Sequence, residues 1–292
     1  MLALSLGFLV LATSTFADDI TSGHSGLETM EEPQIEHKLQ ISPGFTYLSD
    51  ADFDHGSLGN VSVWRADIRG RYTMSTEQGE LGLGALYEYS QYDLSKFNGN
   101  FDFNTLGFDA YWKGMFNEKW GYFVYGAVQM SADTDVNLGD GLTGTGAGGV
   151  RYVWSKDLSL GIGAAVSSRL EDDPQVLPVI VLNWQINERW NLRVLNGATL
   201  TYDVTGEKKF FMDAGVKYQR REYRVVDDAS VTEKMVVGEL GATYHFCPHA
   251  ALRAFVGVTA GRNIEFRQSD HKLGDEDVNS SALFGVRAFF TF

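Results

Sequence analysis

The sequence predicts an all-β protein, a closed antiparallel transmembrane up-and-down β-barrel of about fourteen strands, with twelve as the alternative count. Apolar and polar residues alternate with period two from residue 36 to residue 292. The connections between these stretches are alternately short and long, and all six tryptophans fall on the apolar side of their strands. These observations predict strands with one side toward lipid and the other toward a polar interior.

Length and composition agree with a single large β domain. The chain has 292 residues, with 32 glycines, only 5 prolines and 13% aromatic residues. This composition favours many short strands joined by tight turns, and no linker divides the chain. The formal charge of −14 argues against nucleic acid as a partner, because a surface that binds phosphates needs a basic patch.

The amino terminus predicts export. Residues 1–17 form an apolar run that ends in small residues suited to signal-peptide cleavage before Asp18. A transmembrane anchor is the alternative, but the run is shorter than the ~20 apolar residues of a spanning helix. Residues 18–35 are polar and acidic, and predict a flexible periplasmic lead-in or a plug that enters the lumen. Cys247 is the only cysteine, which excludes an internal disulfide.

The first predicted strands show the alternation sharply. Residues 62–73 put Trp64 and Ile68 on one side and Arg65 and Arg69 on the other. Because a slip of one residue would move every side chain to the opposite face, the pattern itself assigns each side chain to a face. The first four predicted strands cover residues 38–48, 62–73, 80–90 and 105–113.

The alternation continues to the end of the chain, so residues 36–292 are predicted to form the barrel domain. Further strands are predicted over residues 120–132, 142–154, 158–169, 176–185, 190–196, 198–204, 210–221, 235–246, 252–266 and 282–292. The spans 190–196 and 198–204 are short, and without them the count would be twelve. Pro43 and Pro178 fall inside predicted strands, where a proline removes a backbone donor, and predict a bulge or an edge.

The connections predict the direction of the barrel. Short links occur at residues 75–78, 117–118, 155–156, 187–188, 205–207 and 247–249, and most of the intervening links are longer and acidic. Short periplasmic turns and long external loops are typical of outer-membrane barrels, so both ends of the barrel domain are expected at the periplasmic side. Cys247 then lies in a periplasmic turn.

The tryptophans predict an aromatic girdle at the membrane boundary, formed by Trp64, Trp112, Trp120, Trp154, Trp184 and Trp190. Indole prefers the headgroup region because its ring is apolar and its N–H needs a partner. All but Trp64 lie near a short link, which favours the periplasmic boundary. A secreted soluble barrel or sandwich is the alternative, and it would have to bury these rings in its core.

The polar side of the strands predicts the lining of a lumen. The candidates are Arg65, Asp67, Arg69, Arg71, Asp109, Lys113, Arg151, Arg193, Asp213, Lys217, Glu239, Arg253 and Arg287. A barrel of ~8 strands is filled by side chains, whereas about fourteen leave room for water. The leading hypothesis is a passive porin-like channel for small solutes, with a slight preference for anions. The alternatives are a structural or surface-interaction barrel with an occluded lumen, and a hydrophobic-substrate transporter, which would need an apolar pocket and a lateral opening.

The sequence predicts no catalytic residue, cofactor or metal site. An outer-membrane lipid hydrolase would need Ser, His and an acidic group within hydrogen-bond reach. His245 and His249 fall at the periplasmic end, while His55 and His271 fall in external loops without a serine fixed on a strand. Acidic loops such as residues 50–54 lack the glycine and terminal glutamate of a calcium loop, and are expected to be solvated.

The final stretch, ALFGVRAFFTF, alternates apolar residues and ends on Phe290 and Phe292. It resembles the terminal strand of bacterial outer-membrane β-barrel proteins, which implies recognition by the barrel-assembly machinery and closure against the first strand. With segments such as WNLRVLNG and KKFFMDAGVKYQRREYRV, the chain resembles uncharacterised porin-like families known only as domains of unknown function. The resemblance implies a Gram-negative outer-membrane location, in contact with outer-membrane lipid, and supplies no catalytic residues.

Overall fold

The computed structural model describes residues 36–54, 59–96, 100–195, 197–269 and 271–292. The predicted signal peptide, residues 1–17, and the predicted lead-in, residues 18–35, lie outside the described residues. In the described part of the chain, no helix is long and apolar enough to cross a membrane.

Fifteen strands and one 3-10 turn at Leu138–Gly141 make up the regular structure of the described residues. The strands are β1 (Glu36–Asp52), β2 (Asn60–Thr76), β3 (Gly79–Leu94), β4 (Asn100–Met115), β5 (Trp120–Asp133), β6 (Leu142–Ser155), β7 (Leu158–Arg169), β8 (Asp172–Gln185), β9 (Trp190–Val194), β10 (Gly197–Asp203), β11 (Phe210–Arg224), β12 (Ala229–Cys247), β13 (Ala250–Gln268), β14 (His271–Val278) and β15 (Ala282–Thr291).

Fourteen of these strands form a closed antiparallel ring, which confirms the predicted fold class. Each strand from β1 to β13 pairs with its neighbour in the chain, and β15 closes the ring between β13 and β1. At the seam, Leu39 and Phe292 exchange two backbone hydrogen bonds of 3.1 and 2.8 Å. Because β9 and β10 are both part of the ring, the alternative count of twelve is wrong. We call the end that carries Glu36 and Phe292 the terminal end, and the opposite end the loop end.

The strand β14 lies outside the ring, where the sequence pattern predicts a loop. The pairing of β13 with β15 stops at Val258 opposite Ala282, but β13 continues to Gln268. β14 forms a ladder with this extension, from Arg262 to Gln268, and a single bridge joins its last residue, Val278, to Phe53 just beyond β1. Period-two hydropathy could not mark β14, because charged residues occur on both of its sides. Its pairing depends on the free edge of β13, which sequence does not show.

The two faces of the ring differ as the alternation predicts. Outward apolar side chains are exposed, as in Ile162 with 64% exposure, whereas inward charged side chains are buried, as in Arg65 with 3%. A soluble barrel would show the reverse distribution, with the apolar side chains inside. The apolar row therefore forms an outer band of the kind that contacts lipid in membrane barrels.

Both strand prolines lie at breaks in the sheet, as predicted. The pairing of β1 with β15 includes Ile41 and then resumes at Gly44, so it omits Pro43. Pro178 lies in the part of β8 that is paired with β7 but not with β9, because the β8–β9 pairing covers only Leu182–Gln185. A missing backbone donor is tolerated at such an edge.

Candidate functional site: the interior of the barrel

The predicted lumen residues lie on the inward side of their strands, opposite the exposed apolar row. In the half of the barrel nearer the terminal end, their ion pairs run along the wall. Arg287 donates to both oxygens of Asp67, at 2.7 and 2.8 Å, and Arg71 lies 3.1 Å from Asp109. Further wall pairs are Lys113–Glu80 at 2.8 Å, Arg253–Asp213 at 2.6 Å, Arg253–Glu239 at 2.7 Å, Lys217–Glu239 at 3.3 Å and Arg69–Asp67 at 3.3 Å. Each of these pairs joins groups on one strand or on strands at most two places apart in the ring.

Two other predicted lumen residues have different surroundings. Arg151 on β6 lies with a guanidinium nitrogen 3.3 Å from the sulfur of Met115 on β4. Arg193 on β9 is opposite Asn183 of β8 and Thr199 of β10 in the strand pairing. Both arginines therefore occupy the same inward row as the wall pairs.

In the half nearer the loop end, wall pairs such as Lys234–Glu265 at 2.6 Å also occur, but other contacts cross the lumen. Arg221 of β11 donates to the two carboxylate oxygens of Glu88 on β3, at 3.2 and 3.1 Å. Phe103 of β4 stacks on Tyr223 of β11, with ring centroids 4.2 Å apart. Strands β4 and β11 lie on opposite sides of the fourteen-strand ring, so the barrel is flattened at this height.

Glu233 on β12 is the centre of a second contact across the lumen. It is 1% exposed, and its carboxylate lies 2.6 Å from Arg65 of β2 and 2.8 Å from Arg262 of β13. The Tyr92 hydroxyl donates to it at 2.8 Å. Burial of these charges is tolerated because the carboxylate is paired and hydrogen-bonded on several sides.

An apolar layer fills the space around these contacts. It contains Leu48, Ala51, Phe53, Val61, Val63, Tyr92, Phe103, Tyr223, Met235, Val237, Ile264, Val278 and Leu283. We call the Glu88–Arg221 pair, the Phe103–Tyr223 stack and the Arg65–Glu233 pair the cross-lumen bridge. Sequence reasoning missed it, because alternation predicts the side of a residue and not its partner across the ring. The sequence contains one local indication of this apolar layer. Val61 and Val63 are apolar although they lie on the side of β2 that carries charged residues.

The predicted girdle residues lie on the outward side. Trp120, Trp154 and Trp184 are exposed. The indole N–H of Trp64 donates to Gln91 at 2.5 Å, and that of Trp112 donates to the Tyr122 hydroxyl at 2.8 Å. The ring of Trp190 packs on Tyr202, with centroids 4.5 Å apart. Phe290 and Phe292, the predicted assembly residues, are exposed at the terminal end. Their roles in lipid contact and assembly stay predictions.

The wall is incomplete in one sector of its loop half. β9 and β10 have 5 and 7 residues, whereas every other strand of the ring has at least 10. In the described residues, β8 above Leu182 and β11 between Lys217 and Arg224 therefore have no strand partner on the sides that face each other. At Arg224, the same edge of β11 forms a single parallel bridge to Ala132 of β5. We call this gap between β8 and β11 the wall window.

Within the described residues, no cluster of three or more His, Cys, Asp or Glu side chains could hold a metal ion. Of the histidines considered for catalysis, His249 lies 3.2 Å from the Thr291 carbonyl oxygen, and His245 packs edge-on to Phe211 with centroids 5.5 Å apart.

Residues 108–274, more than half of the chain, match a family described as "Domain of unknown function (DUF6268)". The chain belongs to this family. The match confirms the prediction of an uncharacterised β-barrel family. No curated protein matches the DUF6268 chain.

Solved structures similar to the DUF6268 protein include outer-membrane channels. An outer-membrane channel from Pseudomonas putida F1 aligns with a TM-score of 0.48 and 12% identity, covering 91% of this chain and 100% of that one. The P. putida toluene transporter TodX aligns with a TM-score of 0.46 and 8% identity, covering 88% and 90%. The NanC porin aligns with a TM-score of 0.39 and 12% identity, covering 86% and 98%. These likenesses concern the fold, and no function is transferred from them.

Proposed function

We propose that this DUF6268 protein is an outer-membrane channel for small solutes whose passage is closed near the loop end by the cross-lumen bridge. The observation that carries the proposal is the contrast between the two halves of the interior. Ion pairs run along the wall in the terminal half and cross the lumen only in the loop half. A ring of this size has room for water wherever side chains do not span it.

The wall pairs suit a wet passage. Each ion pair in the terminal half described above joins groups on the same strand or within two strands, so none of these pairs has to span the barrel. Rings of charged side chains are a common basis of ion selectivity in pores. Because Arg and Lys outnumber Asp and Glu among the predicted lumen residues, a modest preference for anions is part of the proposal.

The bridge is built so that it can open. Beyond Lys217, β11 keeps only β12 as an antiparallel partner, because β10 is too short to reach. On its other side, the loop half of β11 is held by a single bridge from Arg224 to Ala132 of β5 and by side-chain contacts of Glu222 and Arg224 with the β7–β8 link. It can therefore move outward without breaking a second long ladder, and it carries both Arg221 and Tyr223. Segments with few backbone partners are the usual moving parts of gates.

A barrel with a permanently occluded lumen is the second candidate, with a structural or surface-interaction role. The burial of Glu233 between Arg65 and Arg262 favours it, because separating buried, hydrogen-bonded charges is unfavourable. The two candidates differ in whether neutralising the bridge produces a conducting path.

Single-channel recording in planar bilayers tests this first prediction. The double variant Glu88→Gln, Arg221→Gln removes both charges of one ion pair of the bridge together, so neither is left buried alone, and leaves the Arg65–Glu233 pair in place. We expect more frequent opening or larger conductance steps than in the unmodified protein. The matched control, Asp213→Asn with Arg253→Gln, neutralises a wall pair and is expected to change ion preference more than opening. No conductance from any of these proteins at any salt concentration would contradict the channel and favour the occluded barrel.

A further inference from the structure

We infer that the wall window is a lateral portal for small amphiphiles whose polar head both donates and accepts hydrogen bonds. The inference rests on the proposed function and deepens it, since it names a substrate class and a route from the bilayer.

The window lies at the depth of the apolar band. Val176 and Ile180 are outward, exposed residues of the unpaired part of β8, with Val176 68% exposed. Trp184, on the same strand, belongs to the predicted girdle at the terminal end. Tilted strands rise roughly 2.4 Å per residue along the membrane normal, so Val176 lies about 20 Å from Trp184, inside a band of about 25 Å. Unpaired strand edges do not occur against lipid unless they line a cavity, so this gap requires an occupant or water.

The window has a defined frame. Its lower border is the β9–β10 turn, where the Leu195 N–H donates to the Gly197 carbonyl at 3.0 Å. Its upper border is the β7–β8 link, because the Leu170 N–H donates to the Glu222 carboxylate at 2.9 Å and Arg224 lies 2.6 Å from Glu171. β8 and β11 form its sides. The gap is thus enclosed by the protein on all four sides and is not a frayed end of the barrel.

A polar pocket lies behind the window. It is bounded by the inner faces of β5 to β8 and by the outer face of β11, and its lining includes Gln129, Thr145, Arg169, Gln175, Arg220 and Glu222. Arg220 and Glu222 occupy the side of β11 that faces outward lower in the strand. They face other strands here because the loop half of β11 is drawn into the lumen by the bridge.

Three buried side-chain atoms in the pocket have no hydrogen-bond partner among the described residues. They are two acceptors, Oε1 of Gln129 and Oε1 of Glu222, and one donor, Nε of Arg220. The Glu222 carboxylate also forms an ion pair with a terminal nitrogen of the Arg220 guanidinium. Buried polar groups are normally satisfied, so Gln129 Oε1 and Arg220 Nε each need a water molecule or a ligand. A ligand head that serves Gln129 Oε1 and Arg220 Nε must donate one hydrogen bond and accept another, as a hydroxyl or a protonated carboxyl group does.

The inner wall next to the pocket is apolar. Ala165 and Val179 are buried there, with Phe123, Leu177 and Val181 packed against them. Leu195, at the lower border of the window, contacts the same cluster. An apolar chain or ring that entered through the window would lie on this surface while its head reached Arg220 and Gln129. Charge and shape together therefore favour an amphiphile over an inorganic ion.

Thiol labelling tests whether the window is open to the bilayer. Both labelling variants are made in a Cys247→Ser background. Leu177→Cys places a thiol on the inner face of β8, beside the window. Leu86→Cys is the control and places a thiol at similar height on the inner face of β3, where both neighbouring strands are paired with β3. After reconstitution, N-(1-pyrenyl)maleimide dissolved in the bilayer is expected to label Leu177→Cys much faster than Leu86→Cys. Equal labelling of the two variants would overturn the portal.

Binding of dansyl-labelled undecanoic acid to the protein in lipid nanodiscs tests the ligand class. Gln129→Met and Arg220→Met each remove one head contact, and each is expected to weaken binding about tenfold, the equivalent of one hydrogen bond to a charged or buried group. Arg189→Met, in a turn at the terminal end, is the matched control and should bind as the unmodified protein does. Affinity that is unchanged in both pocket variants, or no saturable binding, would overturn the assignment.

These outcomes are separable from a failure of the channel. Loss of the proposed function would appear as absent conductance, with labelling and binding intact. Loss of the portal would appear as equal labelling, with conductance intact in the bridge variants. A heat-dependent shift of the folded band on a gel shows that each variant has folded.

Discussion

Glu233 illustrates how a single carboxylate can organise the interior of a barrel. Its two oxygens hold guanidinium groups from β2 and β13, strands that come from opposite ends of the chain. Arg65 and Arg262 are themselves almost fully buried. The three side chains depend on one another, because an unpaired charge at this depth would be strongly unfavourable.

We therefore predict that Glu233→Gln lowers the free energy of unfolding by about 3–5 kcal/mol, as expected when one partner of a buried ion pair is lost. Urea titration of the reconstituted barrel, followed by tryptophan fluorescence, measures the change. Glu207→Gln is the control, because the Lys209–Glu207 pair is exposed and contributes little. A midpoint for Glu233→Gln that matches the Glu207→Gln midpoint would contradict the prediction.

At the scale of elements, β6 and β7 approach closely through glycines. The glycine run in GLTGTGAGGV is not followed by Lys-Ser/Thr or by a helix, and it predicts a strand bend or close packing rather than a phosphate loop. The structure shows close packing at one of these glycines, because a Cβ at Gly149 would lie 2.4 Å from the Ile162 carbonyl oxygen and 2.6 Å from the Phe123 ring. Phe123 reaches the apolar surface beside the window only because β6 carries no side chain there.

Gly149→Val is expected to destabilise the barrel by about 1–3 kcal/mol, the usual range for overpacking. Gly146→Val on the same strand is the matched control, because a Cβ at Gly146 meets nothing within 4 Å. Comparison of their urea midpoints checks the prediction. If both variants unfold at the same denaturant concentration, close packing at Gly149 is not important for stability.

The alternation in sequence was sufficient for the ring but not for its interior. The side of each residue depends on its position along one strand, which the chain shows directly, as in Trp64 and Arg65. The stacking of Phe103 on Tyr223 depends on how far the ring flattens, and no local pattern encodes that distance. Two features of the sequence are related to the window. One is the shortness of the predicted strands 190–196 and 198–204, and the other is the proline at position 178. Both became interpretable only when the neighbours of β8 were known.

At the scale of the whole molecule, the pairing places Cys247 and Phe292 at one end of the barrel and the 3-10 turn at the other. Cys247 is exposed, and it is the last residue of β12, next to the two-residue link to β13. The proposed orientation puts this link in the periplasm and the loop end outside the cell. One cysteine therefore reports the direction of the entire barrel.

We predict that a membrane-impermeant maleimide leaves Cys247 unlabelled in intact cells and labels it after the outer membrane is permeabilised. In a Cys247→Ser background, Asp173→Cys, exposed at the loop end, is expected to react in intact cells. Gel detection of the labelled protein measures both. The reverse pattern, with Cys247 labelled from outside and Asp173→Cys protected, would show that the orientation is wrong.

The seam between β1 and β15 has a consequence for how this molecule reaches its native state. Gln40 is paired with Thr291, so the contact that completes the ring joins residues separated by nearly the whole described chain. Contacts of such large sequence separation form slowly, and until this one forms the sheet has two unpaired edges that can join another chain. We therefore expect substitutions in the last few residues of β15 to affect folding speed and resistance to aggregation more than substitutions in the other strands of the ring.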